Sequence, residues 1–230
     1  MNQKIVVLLP DLPQASFAEP IKQSLSFLTE RHFEIDLIDP YEIHGEMDNK
    51  QFYQLWRERL ARLIEQYDIF FGFSFGGVIL QQCLPLFETH NKSIFLFSSP
   101  SVINVELRQK LQQVIMLCNK GQLTAALTLL YQYVDHPNQI KRIFSIDDEA
   151  LATNRLVSGL ERVLTTDCQP ILQTTKVAFA HFLGQESGLV KRENVVAPDS
   201  AILYTVTGAG NRVLQDNPAF CQNIILKQIT

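Results

Sequence analysis

The stretch GFSFGG, Gly72 to Gly77, follows directly on the apolar run Ile69-Phe70-Phe71. A serine with glycine two residues to either side is the pattern of a nucleophile elbow, a sharp turn from strand to helix. Side chains at the flanking positions would block the packing of strand on helix, and the strained turn points the serine hydroxyl outward at the carboxyl end of a sheet. Gly72 and Gly76 occupy the flanking positions, and Gly77 adds another small residue. The pattern has meaning only between a strand and a helix. The run Ile69–Phe71 supplies the first, and a helical pattern from Phe75 to the neighbourhood of Pro85 supplies the second.

The same alternation extends in both directions. Ile5–Leu9 reads as a strand, followed by Phe17, Ile21, Leu25 and Leu28 at helical spacing. Phe33–Ile38 alternates as a strand and stops at Asp39-Pro40. Phe52, Leu55, Trp56, Leu60, Leu63 and Ile64 form one helical face, opposite the solvated Arg57, Glu58, Arg59 and Arg62. After the elbow come a strand at Ile94–Phe97 and, much later, strands at Val177–Phe182 and Ala201–Val206. A last helix starts at Asn217-Pro218, with proline where a missing N–H is no loss. Strands alternating with helices predict an α/β fold whose sheet is mostly parallel and flanked by helices.

Between Pro100 and Pro170 the strands stop and three helical stripes appear. Leu107, Leu111, Val114, Ile115 and Cys118 make the first, broken at Gly121. Leu123, Ala126, Leu127, Leu130, Tyr131 and Val134 make the second, closed by the turn Asp135-His136-Pro137. The third follows Ser145-Ile146-Asp147-Asp148, read as a capping box, with Leu156, Val157, Leu160, Val163 and Leu164 on one face. The expected organisation is a core of residues 1–100 and 171–230, with 101–170 inserted as a helical lid.

With 230 residues, 46% of them hydrophobic, the chain is long enough for a full core. A net charge of −4 argues against a nucleic-acid surface. Cys83, Cys118, Cys168 and Cys221 are scattered without a CxxC pair, which points away from a metal site or disulfide framework and suits a reducing compartment. The apolar run near the start is too short for a signal-peptide core, and no run approaches a membrane span, so a cytoplasmic location is expected.

Five segments carry a likeness to a known family: IVVLLPDLPQASF (5–17), FFGFSFGGVI (70–79), SGLERVLTTD (158–167), GQESGLVKRENVV (184–196) and DNPAFCQNIILKQI (216–229). The chain resembles the α/β-hydrolase superfamily, and within it is similar to the pimeloyl-acyl-carrier-protein methyl ester esterases of biotin synthesis. The resemblance implies an α/β-hydrolase fold with a helical lid, no cofactor or metal, and an acyl or ester-like small molecule or a protein as partner. It places nucleophile, acid and base at Ser74, Ser187 and Asn211. The oxyanion hole falls to the N–H groups of Phe75 and Leu12.

Only Ser74 has the chemistry its place requires. After the last strand, Gly208-Ala209-Gly210-Asn211 matches a G-A-G-H frame down to Asp216 and Pro218, with asparagine where the base belongs. An amide accepts no proton at any relevant pH. Gly184-Gln185-Glu186-Ser187 puts serine in the place of the acid, with Glu186 one residue early as an alternative. The loop Leu9-Pro10-Asp11-Leu12 lacks the usual His-Gly, and a carboxylate at Asp11 would oppose a developing negative charge. His44, in the loop after the second strand on the correct side of the sheet, and His136, in the lid, are the alternative bases. His32 is expected at the surface, His90 on the far side, and His181 as a core residue. The expectation is a catalytically degenerate hydrolase with a binding or interaction role, set against an active carboxylesterase or thioesterase with a relocated base.

Overall fold

A computed structural model of the chain describes residues 3–229. Among them six strands form one sheet: β1 (Lys4–Leu8), β2 (Glu34–Ile38), β3 (Ile69–Phe73), β4 (Ser93–Phe97), β5 (Phe179–Gly184) and β6 (Ala201–Val206). Their order is β2-β1-β3-β4-β5-β6 and every neighbouring pair is parallel. The helices among the described residues are α1 (Glu19–Ser24), α2 (Ser26–Thr29), α3 (Asn49–Ile64), α4 (Phe75–Cys83), α5 (Val105–Asn119), α6 (Leu123–Asp135), α7 (Glu149–Thr165), α8 (Gln169–Leu172), α9 (Val213–Asp216) and α10 (Pro218–Ile229). None is long and apolar enough to cross a membrane.

Side-chain alternation along the strands divides the core in two. Phe70, Ile94, Leu96 and Leu183 face α3, α4 and the helices between β4 and β5. Phe71, Phe95, Phe97 and Phe182 face Leu25 and Leu28 near α1 and α2, and Cys221 and Ile225 of α10. Inner parallel strands are covered on both faces and so are apolar throughout. β3 and β5 are wholly buried, whereas the edge strands β2 and β6 each bury a single residue.

α3 shows how a local signal sets a helix that then supports the site. Its N-terminus is a reciprocal capping box, the Asp48 carboxylate accepting the Gln51 N–H at 2.8 Å and the Gln51 side chain accepting the Asp48 N–H. Phe52, Tyr53, Trp56, Leu60, Leu63 and Ile64 form its buried face. Each fully buried side chain of this size contributes about 1.5–3 kcal/mol. Leu55, expected on that face, is 41% exposed. Phe52 stacks on Phe75 with ring centroids 5.9 Å apart, which braces the first turn of α4.

Several boundaries differ from the sequence expectations. The single helix expected over Phe17–Leu28 is a 3-10 turn followed by the short helices α1 and α2, because the chain breaks at Leu25 (φ −98°, ψ 1°). The cap of α7 is Asp148 itself, which accepts the Leu151 N–H at 2.9 Å, rather than a box begun at Ser145. β5 starts and ends two residues beyond the expected Val177–Phe182, since its partners begin opposite Phe179 and Ala180 and β6 pairs with it through Gly184. The stretch 101–168, which carries α5, α6 and α7, contains no strand.

Candidate functional site

The turn after β3 has the geometry that its sequence demands. Ser74 has φ 47° and ψ −110°, a strained conformation for a residue with a Cβ. Its N–H donates to the Phe97 carbonyl at 2.9 Å, and its own carbonyl accepts from Gly77 and Val78 to start α4. A Cβ on Gly76 would lie 2.2 Å from the Leu8 carbonyl oxygen, so the approach of α4 to β1 requires glycine there.

Ser74 opens on a cavity of about 140 Å³ at the carboxyl end of the sheet. This is near the size of an apolar cavity that holds a benzene-sized ligand. Leu12, Phe75 and Asn211 line it with Ser74, and among the described residues no turn or loop hydrogen bond uses the N–H of Leu12 or Phe75. The far wall comes from the helices between β4 and β5, through Leu107 and Leu111 of α5, Leu130 and Tyr131 of α6, and Leu160 and Val163 of α7.

Ser187 and Asn211 meet. The Ser187 hydroxyl donates to Asn211 Oδ1 at 3.3 Å and accepts the Leu189 N–H at 3.3 Å, and Asn211 Oδ1 also accepts the Val190 N–H at 3.4 Å. The loop that carries Asn211 is fixed by Asp216, whose Oδ2 accepts the Gly210 N–H at 2.9 Å. Below it, a Cβ on Gly184 would lie 1.8 Å from the Gly210 carbonyl oxygen, so the two loops touch through backbone.

The structure does not bring the alternative bases or acid to the cavity, and among the described residues no histidine lines it. His44 is exposed, stacked on Tyr41, with Nδ1 3.0 Å from the Tyr41 carbonyl. His136 is exposed, with Nδ1 2.8 Å from the Glu186 carbonyl oxygen, and Glu186 itself is exposed. His32 is exposed, and His90 sits 3.5 Å from Glu65. His181 is buried between strands. Its Nε2 accepts the Ser99 N–H at 3.2 Å, and burial pushes its pKa down to about 3, with Arg192 adding to the effect, so the ring is neutral. Its Nδ1 is buried without a partner.

Two charged residues differ from their sequence expectations. Asp135, expected in a turn, is the buried last residue of α6. Its carboxylate takes two hydrogen bonds from Arg142, and Arg212 Nε lies 3.0 Å from its Oδ1. Arg212 reaches Asp216 as well, at 3.2 Å, and Arg142 lies over the Tyr131 ring, 4.2 Å from its centroid. The second feature is Asp11, expected to present a negative charge to the site. The residue is half-buried, but its Oδ2 is sealed from solvent without a hydrogen-bond partner. Burial pushes its carboxyl well above the usual carboxylate range, against the pull of Arg155 and with help from Asp39. Burial thus favours the neutral form of the Asp11 carboxyl, which opposes an oxyanion less than a carboxylate would, while the loop still lacks the usual His-Gly.

No family model matches the sequence, and no curated protein matches it. Solved structures do. MGS-M2, an α/β hydrolase enzyme from a Medee basin deep-sea metagenome library, is similar with a TM-score of 0.72 and 14% identity, over 98% of this chain and 88% of that one. The esterase EaEST from Exiguobacterium antarcticum gives 0.70 at 13% identity, over 98% and 91%. A lipase-esterase related protein from Clostridium acetobutylicum gives 0.69 at 12% identity, over 100% and 95%. What these proteins share with this chain at such low identity is architecture: the chain has the α/β-hydrolase fold.

Proposed function

We propose that this chain is a catalytically degenerate α/β-hydrolase-fold protein that keeps the elbow serine and uses the cavity beside it to bind a small molecule. The observation that carries the reading is the Ser187–Asn211 pair. A hydroxyl and an amide hydrogen-bond to each other where an acid and a base would stand, and neither takes a proton from Ser74. Loss of the base of a triad lowers turnover by about a million-fold. The absence of histidine from the cavity wall, among the described residues, removes the support for a relocated base. The helices α5 to α7 act as a lid, and their apolar side chains face an acyl-like or other short apolar body.

Purified protein turns over p-nitrophenyl butyrate no faster than its Ser74→Ala variant. Turnover well above that variant, at the same protein concentration, refutes the reading. Binding is tested separately, by calorimetric titration with 1-butanol and butyrate, and no heat from either contradicts the binding role.

A further inference from the structure

The cavity presents hydrogen-bond donors that have nothing to hold. Asn211 lines it, and the neighbours of Asn211 fix which way its amide is turned. The Val190 N–H can only donate, so the atom it meets at 3.4 Å is the amide oxygen, which also accepts from the Ser187 hydroxyl. Ser187 lies outside the cavity wall, and the end of Asn211 left for a ligand is Nδ2. Among the described residues neither Asn211 Nδ2 nor the Ser74 hydroxyl has a hydrogen-bond partner, and both keep accessible surface. Phe75 and Leu12 line the same cavity, and no turn or loop hydrogen bond among the described residues uses their N–H groups. A histidine in the place of Asn211 would offer the serine an acceptor nitrogen, whereas the amide offers N–H.

The charged side chains on the wall favour the same kind of ligand. Arg142 and Arg212 line the cavity, but Asp135 and Asp216, the carboxylates paired with them, do not. Each ion pair thus presents its cationic member to the cavity. Among the described residues Asp11 is the one acidic residue on the wall, and burial favours its neutral form.

We propose that the cavity binds a short-chain carboxylate as the free anion, its oxygens held by the Ser74 hydroxyl and Asn211 Nδ2 and its apolar tail lying among Phe73, Phe97, Leu107 and Leu130. This rests on the small-molecule reading above and adds the chemistry of the head group, with Asn211 as a binding residue. A carboxylate only accepts, through two oxygens, and hydrogen bonds to an ion are about twice as strong as neutral ones. The site therefore prefers the anion to an alcohol of the same length. A chain of about four carbons suits a cavity of about 140 Å³.

The test is calorimetric titration of the wild type and Asn211→Asp with butyrate, 1-butanol and n-butylamine at pH 7, where the acid and the amine are both charged. Asn211→Asp keeps an oxygen for Ser187 and Val190 and replaces the free N–H group with a second acceptor. Butyrate binds the wild type about tenfold or more tightly than butanol, and loses about tenfold or more in Asn211→Asp while butanol is unchanged. Butylamine binds weakest. Butanol or butylamine binding the wild type as tightly as butyrate overturns the inference and leaves the cavity as a binding site. Butyrate binding Asn211→Asp as tightly as the wild type overturns it too. No binding of any of the three overturns both readings. If Asn211→Asp does not fold, Ser74→Ala decides, and an unchanged butyrate affinity in that variant overturns the inference.

Discussion

The elbow at Gly72–Gly77 and the loop at Gly208–Arg212, which is paired with the loop at Gly184–Ser187, border one cavity, yet they differ in what they keep. Both hold backbone against backbone where glycine is required, Gly76 against the Leu8 carbonyl and Gly184 against the Gly210 carbonyl. At the elbow the side chain has the chemistry of its place. On the proposed reading the loops do not keep theirs, and Ser187 and Asn211 hydrogen-bond to each other instead. Backbone shape is enforced by close contacts that any added atom would break, whereas a polar side chain in a loop is replaceable provided that its partners are satisfied. On the proposed reading the fold persists without proton transfer, as expected where function sits on a fold rather than in it.

The sharpest way to break the loop side of this comparison is Asp135→Asn. It removes the buried carboxylate that Arg142 and Arg212 share, and Arg212 adjoins Asn211. A loss of about 3–5 kcal/mol is expected in urea unfolding, because Arg142 is left without a carboxylate partner while Arg212 keeps only Asp216. The elbow side is broken by Gly76→Ala, which drives a methyl group into the Leu8 carbonyl and costs about 3 kcal/mol by the same measurement. A fall under 1 kcal/mol in either variant contradicts the contact on which that region's shape is said to rest.

Two buried groups beneath these regions give smaller, opposite pH effects. His181 titrates in the fold near 3, below its ordinary 6.5. The unfolded chain then binds the proton first, and stability falls as pH drops below about 6.5, by up to about 1.4 kcal/mol per unit. His181→Gln flattens that slope. Asp11 is raised above 3.8, so the folded chain binds the proton first and stability falls as pH rises through that window. Asp11→Asn therefore raises Tm at pH 7, by about 2–4 °C for each kcal/mol relieved, and the gain vanishes below pH 3.8. Thermal unfolding at pH 3.5, 5 and 7 separates the two, and a Tm gain for Asp11→Asn that is equal at all three contradicts the buried carboxyl.

All six strands and the elbow are legible in the sequence because each is a local signal, an apolar run or a glycine at fixed spacing. The errors fall where a neighbour decides. Val177 begins an apolar run, but β5 begins where its partner strands do, two residues later. Asp135-His136-Pro137 has the composition of a turn, and only the approach of Arg212, distant in sequence, turns Asp135 into a buried anchor. Ser187 and Asn211 were each found by their frame, but their mutual hydrogen bond depends on how two loops meet. The burial of Asp11 depends on the glycine at 159, and no pattern within Pro10-Asp11-Leu12 announces it.

The central claim is that Ser74 stands in an intact elbow without a base. Fluorophosphonate labelling of the wild type beside the double variant Ser187→Asp/Asn211→His tests it most directly. The expected result is no labelling of the wild type above Ser74→Ala and rapid, Ser74-dependent labelling of the double variant. Rapid labelling of wild-type Ser74 would contradict the account.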